Sequence, residues 1–407
     1  MKTVFFFIYS PFRINLYNSI LKEYKKLGYD SIIITQDLFS YLFFKKEQIA
    51  TYLLRMKKTP PNTYKCEVIK NSIDIKSEHF SYEIGLKLAY NFDMLLHKLK
   101  IKDNDIVFSG NGYHIQDFLL LELKKNINFK IYFSELSNLD GKTFFDTKGT
   151  NASSSFYKHA ETFFNKEVTP SLNEIQKEKL IDWKKNYILK KECSHIVKQA
   201  KKMGLLKLIQ WRLYNLIELV FKIPSFSMLK YKSRKKGILR NKSLLIPSTE
   251  VNLNYKYYFL PLQVTDDSQI KINSNYDNSQ AIDYFLKQAE LKNKRLVIKF
   301  HPAEKNSDFI KNIIEKSKER NIIISTENTF LLMKNSDKVC VINSTAGFEA
   351  ILLDKEVEFL GKSFYRYLIS PHLLYYYLFD YLFDIDFFSG DNYENDIVEK
   401  LERLYER

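Results

Sequence analysis

The stretch YYFLPLQVTDDSQI, Tyr257 to Ile270, runs through apolar residues onto two adjacent carboxylates, Asp266 and Asp267, and then Ser268. The run from Tyr258 to Val264 suits a strand covered on both faces, and Thr265 to Ser268 are residue types that open helices. A carboxylate at the C-terminal end of such a strand faces the crevice where open α/β sheets bind ligands. There it can act as a nucleophile, held ionised by the helix dipole and oriented by Ser268. Asp267 is assigned that role, and Asp266 is read as the helix cap. Two later segments also deliver polar groups at a strand end, RLVIKFHPAEK (295–305) and KVCVINSTAGFEAILL (338–353). His301 and Pro302, flanked by Lys299 and Lys305, offer donors to an anion, although a lone His-Pro is weak evidence. Asn343, Ser344 and Thr345 at a helix mouth, followed by Gly347, suit a phosphate. Glu349 is spaced either to reach a ribose or to sit as a solvated helix residue.

Elements that would position these groups recur along the chain. Thr3–Ser10 reads as a strand, Asn15–Leu27 as an amphipathic helix closed by Gly28, and Ser31–Thr35 as a second strand. The segments at 103–114 and 129–137 add strands, the second carrying Glu135 at its end. Strands alternating with helices predict an α/β fold with parallel sheets. Gly110 and Gly112 lack the third glycine and downstream acid of a dinucleotide fingerprint and read as a tight turn. The stretch NLDGKTFFDTKGTNASSSFY (138–157) reads as a loop beside a strand end, where binding residues commonly sit. A helix at 308–320, a strand at 321–326 and a terminal helix at 392–407 complete the pattern. The expected organisation is an N-terminal domain (1–171), a basic helical connector (172–243) with a linker near Lys235 to Ser243, a second domain (244–370) and a helical tail (371–407).

The 407 residues include 63 Lys and Arg against 48 Asp and Glu, a net charge of +15. That balance points to an anionic partner or to a solvated basic surface. Nucleic acid is not expected, because the basic residues are not interleaved with stacking aromatics in a recognisable module. The isolated Cys66, Cys193 and Cys340 fit a reduced, cytoplasmic protein without a zinc site or disulfide framework. VFFFIYS reads as the first strand and not as a secretory signal, and no apolar run is long enough for a membrane span. Residues 205–226 carry apolar positions at helical spacing, Trp211 and Tyr214 among them, before the basic LKYKSRKKGILRNK. This segment reads either as a helix lying on an anionic membrane surface or as an inter-domain helix with its stripe buried.

LQVTDDSQIKINSNY, LVIKFHPAEK and VINSTAGFEAILLDKEVEFLGKSFY resemble, in order, the three C-terminal motifs of the bacterial capsule polysaccharide synthesis family. Its characterised members are retaining β-Kdo glycosyltransferases that use CMP-Kdo. ELSNLDGKTFFDTKGTNASSSFY resembles the family's N-terminal Glu-containing motif, and the resemblance covers about half the chain. The chain departs from the pattern at 136–146, where LSNLDGKTFFD replaces a Gly-Tyr-Leu-Arg-Pro-like segment, which leaves the acceptor open. The resemblance implies a GT-B arrangement, two Rossmann-like domains facing across a cleft with CMP on the C-terminal one. Carried over, Asp267 would be the nucleophile and Glu135 the acid/base. His301, Pro302, Lys299, Asn343, Ser344, Thr345 and Glu349 would contact CMP. Gln263, Ser268, Gln269, Asn151, Lys148 and Gly149 would meet the sugars, while Lys299, Lys142 and Lys148 offset anionic charge. No metal or other cofactor is expected, and the partners implied are a CMP-sugar donor and a glycan or glycolipid acceptor. The rival readings are a transferase using CMP-sialic acid and a non-catalytic capsule biosynthesis or export component. The expected location is cytoplasmic, peripheral on the inner face of the cytoplasmic membrane.

Overall fold

The computed structural model describes residues 2–78, 80–165, 170–193 and 255–406, with the short pieces 213–214, 216–218, 220–221 and 223–225. The expected basic cluster at 229–242 and the linker at 235–243 lie outside the described residues. The chain forms two compact units, Met1–Phe156 with Lys202–Gly237 and Phe379–Arg407, and Tyr157–Lys201 with Ile238–Leu378.

The first unit is built on strands β1 (Thr3–Ile8), β2 (Asp30–Thr35), β3 (Ala50–Leu53), β4 (Ile106–Ser109), β5 (Lys130–Leu136) and β6 (Thr143–Asp146). They lie in the order β3-β2-β1-β4-β5-β6. All pairings are parallel except β5 with β6. Helices α1 (Ile14–Lys26), α2 (Leu38–Lys46), α3 (Ile73–Lys76), α4 (Tyr82–Leu99) and α5 (Ile115–Lys124) lie in the connections. In α1, Ile14, Leu16, Tyr17, Ile20, Leu21 and Tyr24 form one buried stripe. The helix ends where Gly28 takes φ +79°, a left-handed conformation that side chains resist. Phe6, Phe108 and Tyr132 are register partners on β1, β4 and β5, and their rings stack at 4.9 and 5.1 Å. Such cross-strand aromatic contacts stabilise one face of the sheet.

β6 falls inside the segment expected to be a loop. Four residues, TFFD, are too few for an alternating pattern to register, and the strand exists because Phe144 and Phe145 pair with Glu135 and Ser134. The terminal helix expected over 392–407 is also shorter, Ile397–Glu402, with Asp396 as its cap.

The second unit has strands β7 (Tyr257–Pro261), β8 (Arg295–Lys299), β9 (Ile322–Ile324), β10 (Lys338–Val341) and β11 (Glu356–Phe359), all parallel, in the order β11-β10-β7-β8-β9. Helices α6 (Ser155–Phe164) and α7 (Glu174–Cys193) precede it in sequence. Within it lie α8 (Ser268–Asn273), α9 (Asn278–Leu291), α10 (Ser307–Glu319), α11 (Thr329–Asn335) and α12 (Thr345–Leu352). Leu260, Leu296 and Ile298 pack on one side of this sheet with Phe285 and Ile313. Phe259, Val297 and Val341 pack on the other with Leu332 and Ala350. Both sheets are therefore doubly wound, and each reverses strand order once, between β1 and β4 and between β7 and β10.

At the first reversal the carboxylate of Asp117 is fully buried and accepts five hydrogen bonds, from Ser109 Oγ, Tyr9 Oη and the backbone N–H groups of Gly110, Gly112 and His114. Replacing it strands these donors away from water. Asp117→Ala is expected to lower the unfolding free energy by about 3 kcal/mol or more, read by urea denaturation. An unchanged midpoint would mean that water takes over its acceptor role.

Candidate active site

The second unit's reversal point brings together Gln263, Asp267, Gln269 and Asn343 of the residues singled out in the sequence. β7 passes through Leu262 and Gln263 into a turn, and Asp267 then caps α8 by accepting a hydrogen bond from Gln269 N at 2.8 Å. Its other oxygen accepts from Gln263 Nε2 at 3.2 Å. Both carboxylate oxygens are thus oriented by donors. The cap is Asp267 itself and not Asp266, which is exposed. The N-cap position falls one residue later than expected because the Val264–Asp267 turn, closed by Asp267 N to Val264 O, takes up Asp266.

Gln263 is buried and ties β7 to β10. Its Nε2 also donates to Asn343 Oδ1 at 2.9 Å, and its Oε1 accepts from Asn343 N at 3.2 Å. Asn343 Nδ2 in turn donates to the carbonyl of Gln269 at 2.8 Å, and Gln269 Oε1 accepts from Asn273. Gln263 and Asn343 therefore hold the frame of the site through their side chains. Ser344 caps α12, accepting from Ala346 N at 3.1 Å, with Thr345 exposed beside it. Gly347 lies where a Cβ would stand 2.4 Å from the Phe359 ring, so the helix packs against β11 at a distance that requires glycine.

His301, past the end of β8, is half-buried. Its Nδ1 accepts from Ala303 N at 3.1 Å, which places the proton of the neutral ring on Nε2. Burial pushes its pKa below the ordinary histidine value, against the opposing pull of Asp267 and Glu304, so the ring is neutral at neutral pH. Pro302 is exposed. Lys299 donates to the carbonyl of Glu327, and burial lowers its pKa.

Glu304 was not singled out in the sequence. It accepts from Thr265 N and Oγ1, at 2.7 and 3.0 Å, and from the backbone N–H groups of Lys305 and Asn306. It thereby locks the turn after β7 to the turn after β8. A glutamate three residues past His301 in a turn without other acceptors was the available signal. Glu349 is held by Tyr187 Oη at 3.2 Å and Lys191 Nζ at 2.5 Å, both from α7. Ser268 is half-buried at the first turn of α8.

In the first unit, Glu135 is half-buried on β5 and its Oε2 accepts from Thr150 Oγ1 at 3.4 Å. Lys148, Gly149 and Asn151 lie in the turn around Thr150. Asp146, fully buried, organises that turn by accepting from Lys148 N, Ser155 N and Oγ, and Tyr381 Oη. Gly149 and Asn151 both take positive φ there, and Lys148 is exposed. Lys142 is paired with Asp384. Among the described residues, no three His, Cys, Asp or Glu side chains are gathered as metal ligands would be.

A doubly wound sheet with two helix caps, a neutral imidazole and an oriented carboxylate at its strand-order reversal is the ligand-binding unit of an open α/β protein. The chain belongs to the capsule polysaccharide biosynthesis protein family, whose profile matches residues 143–368, more than half its length. It is 30% identical over 131 residues to the capsule polysaccharide export protein KpsS of Escherichia coli, covering 30% of this chain and 34% of that protein. It is 34% identical over 130 residues to protein FixF of Sinorhizobium fredii (strain NBRC 101917 / NGR234), covering 31% of each. The chain thus spans about a third of the length of the curated relatives it matches. Among solved structures it is similar to the Thermosulfurimonas dismutans KpsC beta Kdo 2,7 transferase, at 19% identity and TM-score 0.32, over 68% of this chain and 70% of that one. The beta Kdo 2,4 transferase of the same KpsC gives 16% identity and TM-score 0.33 over 64% and 70%.

The depressed pKa of His301 has a definite pH consequence. In the unfolded chain the ring takes up a proton near its ordinary value, and in the folded chain only at lower pH, so stability is lost as pH falls through about 6.5. Urea denaturation at about pH 7.5 and 5.5 should show a larger loss for the parent protein than for His301→Gln. Equal losses would mean that the ring is not held neutral.

Proposed function

We propose that the chain is a retaining glycosyltransferase that moves Kdo from CMP-β-Kdo to a glycan or glycolipid acceptor in capsule, O-antigen or lipopolysaccharide assembly. One observation carries this reading: the Asp267 carboxylate is oriented through both oxygens at the β7–β10 reversal, acts electrostatically on the neutral His301, and is tied through Gln263 to Asn343, the residue before the Ser344 cap of α12. In the proposed reaction CMP lies with its phosphate toward α12, where N–H groups and the Ser344 and Thr345 hydroxyls favour an anion. His301 donates from Nε2. An Asp267 oxygen bonds to the anomeric carbon as the bond to the CMP phosphate oxygen breaks, and CMP leaves with that electron pair. The acceptor hydroxyl then attacks the same carbon, Glu135 takes its proton, and the Asp267 carboxylate is released. Two inversions give net retention. This scheme uses no metal.

The family assignment supports a role in capsule polysaccharide biosynthesis, and the resemblance of the chain's motifs to those of β-Kdo glycosyltransferases makes Kdo the first donor to test. We also assign the protein to an anionic membrane surface from the cytoplasmic side. In the described helical pieces between 213 and 221, Leu213, Leu216, Ile217, Val220 and Phe221 are exposed at i, i+3, i+4, i+7 and i+8, the last two by 73% and 72%. Glu218 is turned the other way, accepting from Leu38 N at 2.7 Å. An apolar stripe of this kind beside a Lys- and Arg-rich sequence fits an interfacial helix. No helix among the described residues is long and apolar enough to cross a membrane.

Asp267→Ala should abolish transfer from CMP-Kdo while CMP affinity by calorimetry stays near the parent value. Glu135→Gln should accumulate a sugar adduct on Asp267, seen by intact mass and peptide mapping. Near-normal transfer by Asp267→Ala sinks the mechanism, and turnover of CMP-sialic acid in place of CMP-Kdo reassigns the donor. For the membrane assignment, vesicles rich in anionic lipid should sediment the parent protein at low salt but not a Val220→Asp, Phe221→Asp double variant. Equal sedimentation of the two would leave the stripe without that role.

A further inference from the structure

Arg13 follows β1 in the turn Pro11–Arg13 and is 8% exposed. Its Nη1 donates to the carbonyl and the Oγ of Ser134, at 2.7 and 2.6 Å. Ser134 lies on β5, and β4 lies between β1 and β5. The guanidinium therefore spans the C-terminal end of β4 at the strand-order reversal of the first unit, the position where open α/β sheets take ligands. The Phe387 ring covers one face at 5.1 Å.

A guanidinium this buried ordinarily has an anion, because a desolvated cation without one is costly. Among the described residues no carboxylate lies within ion-pair distance of Arg13. Fully buried acids of the same unit are committed elsewhere. Asp117 is taken by its five donors, and Asp74 by His114 Nδ1 at 3.1 Å and Ile115 N at 2.9 Å. Glu135 follows Ser134 in sequence, but consecutive strand residues point to opposite faces, and its carboxylate meets Thr150. Both bonds to Ser134 use Nη1, so the Nε–Nη2 edge, the fork that matches an oxyanion in bidentate fashion, is not spent on them.

We infer that Arg13 is an oxyanion-binding residue of the first unit, and that the acceptor presents a carboxylate or a phosphate to it. This rests on the proposed reading of the first unit as the acceptor's. The carboxylate would belong to an acidic sugar and the phosphate to a phosphorylated glycan or lipid headgroup.

The test is calorimetric titration of the full chain, with CMP at saturation, by inorganic phosphate and separately by glucuronate. The parent protein should bind one of them, and which one names the source of the oxyanion. Arg13→Gln should weaken that binding by about tenfold or more, the loss of a charge-assisted pair, with Arg13→Lys intermediate because charge remains without the fork. Thermal unfolding of each variant separates lost binding from lost fold. If Arg13→Gln does not fold, Arg13→Lys carries the comparison, and an affinity equal to the parent's overturns the assignment. Binding of neither anion by the parent protein, or equal binding by Arg13→Gln, overturns it as well. The CMP titration made on the same samples reads the donor assignment independently. Absent CMP binding with Arg13-dependent anion binding removes the glycosyltransferase reading and keeps the Arg13 site.

Discussion

Gln263 carries the constraint on which the second unit's site depends. Where strand order reverses, β7 and β10 are neighbours whose chains leave toward opposite faces, so their C-terminal ends diverge and leave polar groups to be paired, among them the buried side chains of Gln263 and Asn343. Such groups must be paired. Gln263 meets the requirement with one amide, donating to Asn343 and Asp267 and accepting from Asn343 N. An apolar residue there would leave Asn343 N–H without its acceptor and one oxygen of Asp267 without its donor. The position of the carboxylate is therefore set jointly by the strand pair and by the helix it caps.

The first unit meets the same topological problem with charge. Asp117, on α5, reaches back to the end of β4 and satisfies three consecutive-region N–H groups together with two hydroxyls. Beside it, burial would push the His114 pKa down, but Asp74 and Asp117 outweigh burial and raise it to about 9. Here the ring is a cation at neutral pH, whereas His301 in the other unit is neutral. The difference follows from the neighbours: His114 hydrogen-bonds a buried carboxylate directly, whereas Asp267 and Glu304 act on His301 without a hydrogen bond to its ring.

Much of the architecture was legible because each strand of the core is a continuous apolar run bounded by cap or turn residues. VFFFI, YYFL and LVIK could hardly be placed except inside a parallel sheet. The site was legible as positions at strand ends, not as contacts. Local sequence marks that a helix opens near Asp266 and Asp267, but which of the two caps it depends on the Val264–Asp267 turn. β6 was invisible because its stability comes from the partner strand rather than from its own four residues. Lys299 was assigned to an anion from its spacing, while its ammonium meets the Glu327 carbonyl, twenty-eight residues away in sequence. Glu349 likewise meets Tyr187 and Lys191 from a helix that precedes the whole second-unit sheet in sequence. Long-range polar pairings of this kind carry no periodic signature.

The neutrality of His301 bears directly on the nucleophile in the proposed reaction. A protonated imidazole near Asp267 would attract the carboxylate and lower the energy of its lone pairs just where they must attack carbon. Burial prevents this by penalising the charged ring, and the Ala303 N–H to Nδ1 bond reinforces it by occupying the nitrogen that protonation would need. The ring remains a hydrogen-bond donor through Nε2, which suits a phosphate leaving group whose charge increases as the bond breaks. The arrangement thus meets two demands that a fixed cation could not meet together, a carboxylate without a cationic neighbour and a hydrogen-bond donor for the leaving group.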